Sequence, residues 1–100
     1  MFKSPGLNMS NEDAVLNTTP ALSPMFRLQW EEVQQAWVLL YPEGMVKLNG
    51  SAGEIIKRLD GKKNVLALIA ELEKDFDATG LQSDVLAFLE IASKQGWVKA

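Results

Sequence analysis

Residues 35–48 read Gln-Ala-Trp-Val-Leu-Leu-Tyr-Pro-Glu-Gly-Met-Val-Lys-Leu, and this stretch decides the fold class. Its first half, Gln35 to Tyr41, is β-branched, aromatic and nearly continuously apolar, which is strand rather than helix composition. A period of two places Trp37, Leu39 and Tyr41 on one face and Val38 and Leu40 on the other. Pro42-Glu43-Gly44 follows as a short loop, because Pro42 fixes φ and Gly44 tolerates the backbone of a tight hairpin. Met45-Val46-Lys47-Leu48 then returns antiparallel to the preceding strand.

Upstream, Phe26-Arg27-Leu28-Gln29-Trp30 alternates apolar and polar and predicts a further strand, ended by Glu31, Glu32 and Gln34. Three strands in meander order result. Downstream, the period changes to that of helices. Ser51-Ala52-Gly53-Glu54 has capping-box spacing, in which the Ser51 hydroxyl accepts from the Glu54 backbone N–H. That helix carries Ile55, Ile56 and Leu59 and stops at Asp60-Gly61. Asn64 is placed to cap a second helix bearing Val65, Leu68, Ile69, Leu72 and Phe76. After the loop Asp77-Ala78-Thr79-Gly80, a third helix carries Leu81, Val85, Phe88, Leu89 and Ala92 and ends at Gly96, with Trp97 and Val98 packed back on the core. Strands followed by helices make the class α+β: a three-stranded antiparallel sheet and then a three-helix bundle.

Met1 to Pro24 is rich in Ser, Asn and Thr, holds three prolines and shows no period. Residues 1–25 are therefore expected to be a mobile N-terminal extension, and residues 26–100 the domain.

The chain has no His and no Cys, which removes imidazole bases, thiolate chemistry, disulfides and Cys/His zinc sites. The carboxylate pairs Glu31/Glu32, Glu71/Glu73 and Asp75/Asp77 read as solvated surface charge. Asn49-Gly50-Ser51-Ala52-Gly53 lacks the spacing and lysine of a phosphate loop. No catalytic residue, metal site or cofactor is expected. No apolar run reaches the roughly 20 residues of a membrane span, and Ser4, Pro5, Gly6 and Asn8 interrupt any signal peptide, so a soluble cytoplasmic protein is expected.

A hairpin beside three helices is also the parts list of a winged helix. With 10 basic against 13 acidic residues, and Gln82, Asp84, Glu90 and Lys94 on the polar side of the third helix, no basic stripe offers itself to DNA. Lys57, Arg58, Lys62 and Lys63 read as a helix end that complements its dipole. Apolar surface is the remaining resource. Leu86 lies about 120° from the centre of the third helix's stripe, as a groove lining would. A nearby edge strand would make a site for an extended peptide.

Arg27-Leu28-Gln29-Trp30-Glu31-Glu32, the run from Val38 to Ile55, Asp60-Gly61 and Gln95-Gly96-Trp97-Val98 resemble the pyrroloquinoline quinone (PQQ) biosynthesis protein D family, PqqD. The resemblance covers Phe26 to Val98 and not the first 24 residues. It implies a winged-helix-like fold and a peptide chaperone. Such a chaperone binds a small ribosomal precursor peptide and presents it to a radical S-adenosylmethionine enzyme, which joins a Glu and a Tyr side chain. In related recognition domains the leader peptide lies as an added strand between the third strand and the third helix. Carried onto this chain, that is the Met45–Asn49 edge and the Leu81–Lys94 helix. The expected binding residues are Val46, Lys47, Leu48 and Asn49 on the edge, with Leu86 and Leu89 lining the helix side and Val85 behind them. Lys47 is expected to meet an acidic peptide residue. An exposed edge strand invites edge pairing or strand exchange at high concentration, and a monomer is expected in dilute solution. Two other readings remain at this point: a winged-helix DNA-binding regulator, and a structural subunit of the modifying enzyme that binds no peptide.

Overall fold

The computed structural model describes residues 14–99. Three strands, β2 (Arg27–Glu31), β3 (Ala36–Tyr41) and β4 (Gly44–Lys47), form an antiparallel sheet in the order β2-β3-β4. Helices α1 (Gly50–Lys57), α2 (Val65–Asp75) and α3 (Gln82–Lys94) follow. A second sheet joins β1 (Ala21–Leu22) to β5 (Val98–Lys99). The α+β order read from the sequence is thus the observed one, with β1 and β5 in addition.

The sheet register pairs Trp30 with Trp37, Leu28 with Leu39, and Leu39 with Val46. Cross-strand partners share a face, so this face is the one covered by α1. Leu39, Leu48, Ala52 and Ile56 are buried there as one cluster. A second cluster lies among the helices and holds Ile55, Val65, Leu68, Ile69, Leu72, Val85 and Leu89. Adjacent residues of α1 serve both, Ile56 toward the sheet and Ile55 toward the helices, while Leu59 and Phe88 pack against each. The short helix α1 is therefore the middle layer that joins sheet to bundle.

Two expectations need revision. The extension is divided. Residues 1–13 lie outside the described residues, but residues 14–25 lie against the domain. Ala21 and Leu22 pair with Lys99 and Val98, and the Ser23 N–H donates to the Trp97 carbonyl at 2.8 Å. The Val65 N–H donates to the Thr18 carbonyl at 3.0 Å, so this strap satisfies an otherwise open donor at the start of α2. Composition does not reveal such order, because backbone bonds to the far end of the chain hold the strap and not an apolar period. The N-cap of α1 is also displaced. Asn49, extended at ψ 171°, accepts from the Ala52 N–H at 2.7 Å, and Ser51 already lies inside the helix. Glu54 does not reach back to Ser51, because Arg58 takes its carboxylate at 2.7 Å. The second cap is as expected: Asn64 accepts from the Ala67 N–H at 2.8 Å.

Arg58 locks α1 to α2. Its side chain is only 12% exposed and meets Glu54, Asp75 at 2.9 Å and Glu71 at 3.3 Å, with the guanidinium 5.4 Å from the Phe76 ring centre. The hydrogen bond from Arg58, then that from Lys57, holds the Glu54 carboxyl below the usual carboxylate range despite partial burial. A lowered folded pKa means that this stabilisation is complete above the unfolded carboxylate pKa, about 4.3, and is lost as pH falls through the lower folded value. No histidine titrates between. The thermal midpoint is expected to stay flat from about pH 6 to 8 and to fall below about pH 4.5. Arg58→Met should lower stability by about 1–2 kcal/mol at pH 7 and shrink that acid-side fall. Melts of both proteins across pH check this; an equal acid fall in the variant would dissociate the network from it.

Candidate functional site at the free edge of the sheet

The backbone of β4 has two sides, and one hydrogen bond fixes which groups face where. The Leu48 N–H donates to the Trp37 carbonyl at 2.9 Å, in register with the β3–β4 ladder. Antiparallel pairs alternate, so Leu48, Val46 and Gly44 turn their backbone groups toward β3, while Lys47 and Met45 turn theirs outward. The free edge therefore offers N–H and C=O groups at Met45 and Lys47. Side chains alternate independently. Val46 is half-buried on the inner face with the Leu39 cluster, whereas Met45, 52% exposed, and Lys47 stand on the outer face.

The seven residues expected to bind peptide divide accordingly. Lys47 is exposed on the edge and makes no ion pair among the described residues. Val46 and Leu48 lie beside it with their backbone groups committed to β3. Asn49 is committed to α1: its side chain caps Ala52, and its carbonyl accepts from the Gly53 N–H at 3.0 Å.

Helix α3 has three apolar sectors. Val85, Leu89 and Ala92 are buried, which places Val85 and Leu89 in the helical core. Leu86, on one flank, lines an open depression of about 1020 Å³ with Leu89, Val15, Thr18, Pro20 and Val98. No residue of β4 contributes to that wall. On the other flank, about 160° from Leu86 around the helix, Phe88 packs against the same cluster as Val46 and 6.5 Å from the Trp97 ring. Ile91, 54% exposed, lies one turn further on that side. The α3 flank residue that packs against the sheet cluster is thus Phe88. The helical period alone assigns Phe88 to the buried stripe and gives Ile91 no role, although an exposed apolar residue outside the stripe is a signal the sequence carries.

The exposed face of α3 carries Asp84, Glu90 and Lys94, a mixed surface without a cationic stripe. Among the described residues no group of three or more carboxylates is placed to hold a metal ion, and no helix is long and apolar enough to cross a membrane.

Comparison with known proteins places the chain in a family. The family described as coenzyme PQQ synthesis protein D matches residues 36–98, from the first residue of β3 into β5. A PqqA binding protein of Pseudomonas aeruginosa is 51% identical over 85 residues, covering 84% of this chain and 92% of that protein. A PqqA binding protein of Methylococcus capsulatus is 45% identical over 83 residues, covering 83% and 89%. The solution structure of the PqqD part of Methylobacterium extorquens PqqCD, described as a functional, stand-alone recognition element for ribosomally synthesised and modified peptides, superposes with a TM-score of 0.70. It is 28% identical and is matched over 81% of this chain and 88% of that one. Sequence and fold converge, and the chain belongs to the coenzyme PQQ synthesis protein D (PqqD) family.

Proposed function

We propose that this chain is a peptide chaperone of PQQ biosynthesis that binds the precursor peptide PqqA as a strand added to β4. The observation that carries the reading is the pair of outward backbone positions, Met45 and Lys47, flanked by half-buried Val46 and by Phe88. Backbone bonds at those two positions supply affinity, and the apolar walls supply selectivity. Val46 and Phe88 form the inner wall, with exposed Ile91 one turn along α3 from Phe88; Val85 and Leu89 hold α3 in place behind it. The chain performs no chemistry itself. It presents the bound peptide, in the cytoplasm, to the radical S-adenosylmethionine enzyme that joins the peptide's Glu and Tyr side chains. The recognition unit is the domain from residue 26 onward, with residues 14–25 strapped across it, and it works as a monomer, since self-pairing at β4 would occupy the peptide's place.

Titration of ¹⁵N-labelled protein with synthetic PqqA tests this. Saturable amide shifts are expected at Met45, Lys47 and around Phe88–Ile91, with an affinity at or tighter than about 50 μM. Absence of saturable binding, or shifts confined to the Leu86 flank, would overturn it. Shifts on addition of duplex DNA alone would favour the regulator reading instead.

A further inference from the structure

The edge that accepts the strand also dictates what each peptide side chain meets. Met45 and Lys47 present both backbone and side chain to an incoming strand's outer face, while Val46 between them points inward. A strand laid along β4 alternates in step with it. The two peptide residues directly opposite Met45 and Lys47 place their side chains outward. The residue between them points inward toward Val46 and Phe88.

The outer face has a definite chemistry. In register, one row runs Gln29, Val38, Lys47 and the next runs Arg27, Leu40, Met45. Both cations on this face, Lys47 and Arg27, are exposed and make no ion pair among the described residues. Arg27 and Glu31 both stand on β2 at the opposite edge, where the Glu31 carboxylate accepts from the Gln29 side-chain amide at 3.3 Å, so Lys47 is the cation at the β4 edge itself. The whole chain has a net charge of −3, so an acidic peptide finds local attraction here against general repulsion.

Resting on the chaperone reading, we infer that Lys47 is a specificity residue. The chain selects an extended segment in which an acidic residue faces Lys47, an apolar residue two positions away faces Met45, and an apolar residue between them enters the inner wall. The spacing is the same whichever way the strand runs.

A charge swap tests it. The probes are synthetic PqqA and variants in which each acidic residue in turn becomes Lys, titrated by calorimetry into wild-type protein and Lys47→Glu at about 50 mM salt. Lys47→Glu should bind native peptide about three- to tenfold more weakly, the combined effect of a lost cross-strand pair and a new repulsion. A single peptide variant should lose affinity for wild type and regain most of it on Lys47→Glu. Replacing the apolar residue two positions from that site with Ser should also weaken wild-type binding. Native affinity within about 1.5-fold on Lys47→Glu, or a loss that no swapped peptide restores, overturns the inference. If wild type fails to bind PqqA at all, the chaperone reading falls instead. Lys47 is an exposed edge residue, and an unchanged circular dichroism melt confirms that the variant is folded.

Discussion

Gly53→Ala is expected to destabilise the protein by about 1–3 kcal/mol, and Gly53→Val by more. The prediction runs against the ordinary sign. Gly53 lies inside α1, where Ala is normally better by up to about 1 kcal/mol. Here a Cβ would overlap Trp37 Cδ1 and stand 2.7 Å from its Cγ and 2.9 Å from its Cβ. The last contact is decisive, because a Cβ moves only with its backbone, and the Trp37 carbonyl is bonded to the Leu48 N–H. The ring has little room to swing either, with Trp30 edge-on at 5.3 Å between centres and the Lys57 ammonium 5.8 Å away. Overpacking therefore outweighs the propensity gain. Urea denaturation followed by Trp fluorescence checks it, and the same substitution in a Trp37→Leu background should cost less, since the overlapping ring is gone. A Gly53→Ala protein as stable as wild type would mean that α1 does not approach β3 this closely. With total stability of a domain near 5–15 kcal/mol, the loss is large enough to read clearly.

The same contact shows why some of this fold is legible in the sequence and some is not. The apolar run before Pro42 and the strand after it declare a hairpin by composition, and Asn64 declares a helix start because nothing nearby competes with it. Asn49 and Ser51 do compete. Both are good caps two residues apart, and the choice falls to Asn49 because the β3–β4 ladder ends at Leu48 and leaves the next residue extended. The hairpin loop reads as three residues, yet Gly44 pairs with Tyr41, so only Pro42 and Glu43 lie between the strands. That one-residue difference governs which β4 backbone groups face outward, and no side-chain pattern reports it. Likewise, periodicity identifies the buried stripe of α3 but not which flank meets the sheet. Leu86 and Phe88 are both apolar flank residues, and only the packing of α1 between sheet and bundle assigns Phe88 to the strand side. The β1–β5 pair is illegible for a further reason: two-residue strands from opposite ends of the chain carry no pattern of their own.

Proline substitution at adjacent positions of β4 should separate the peptide-facing side of the backbone from the fold-facing side. Lys47→Pro removes an N–H that points away from β3, so the ladder keeps its bonds, and proline is tolerated on an edge strand in that orientation. Val46, the residue before it, is held extended, as the position preceding a proline prefers. Its stability should change by no more than about 1 kcal/mol. An added peptide strand, however, loses a donor and meets the pyrrolidine ring where its carbonyl should sit, and affinity should drop about tenfold to a hundredfold or beyond detection. Val46→Pro is the mirror case. The Val46 N–H faces Leu39 within the ladder and its side chain belongs to the inner cluster, so this variant should lose about 3 kcal/mol or more and bind poorly because it is poorly folded. Lys47→Ala keeps the N–H while removing the charge and should lose only a fewfold in affinity, which separates backbone pairing from side-chain attraction. Calorimetry with PqqA and urea denaturation read all three. Wild-type affinity in Lys47→Pro would show that the peptide does not pair with this edge; unfolding of Lys47→Pro to the same degree as Val46→Pro would show that the Lys47 N–H is used inside the protein.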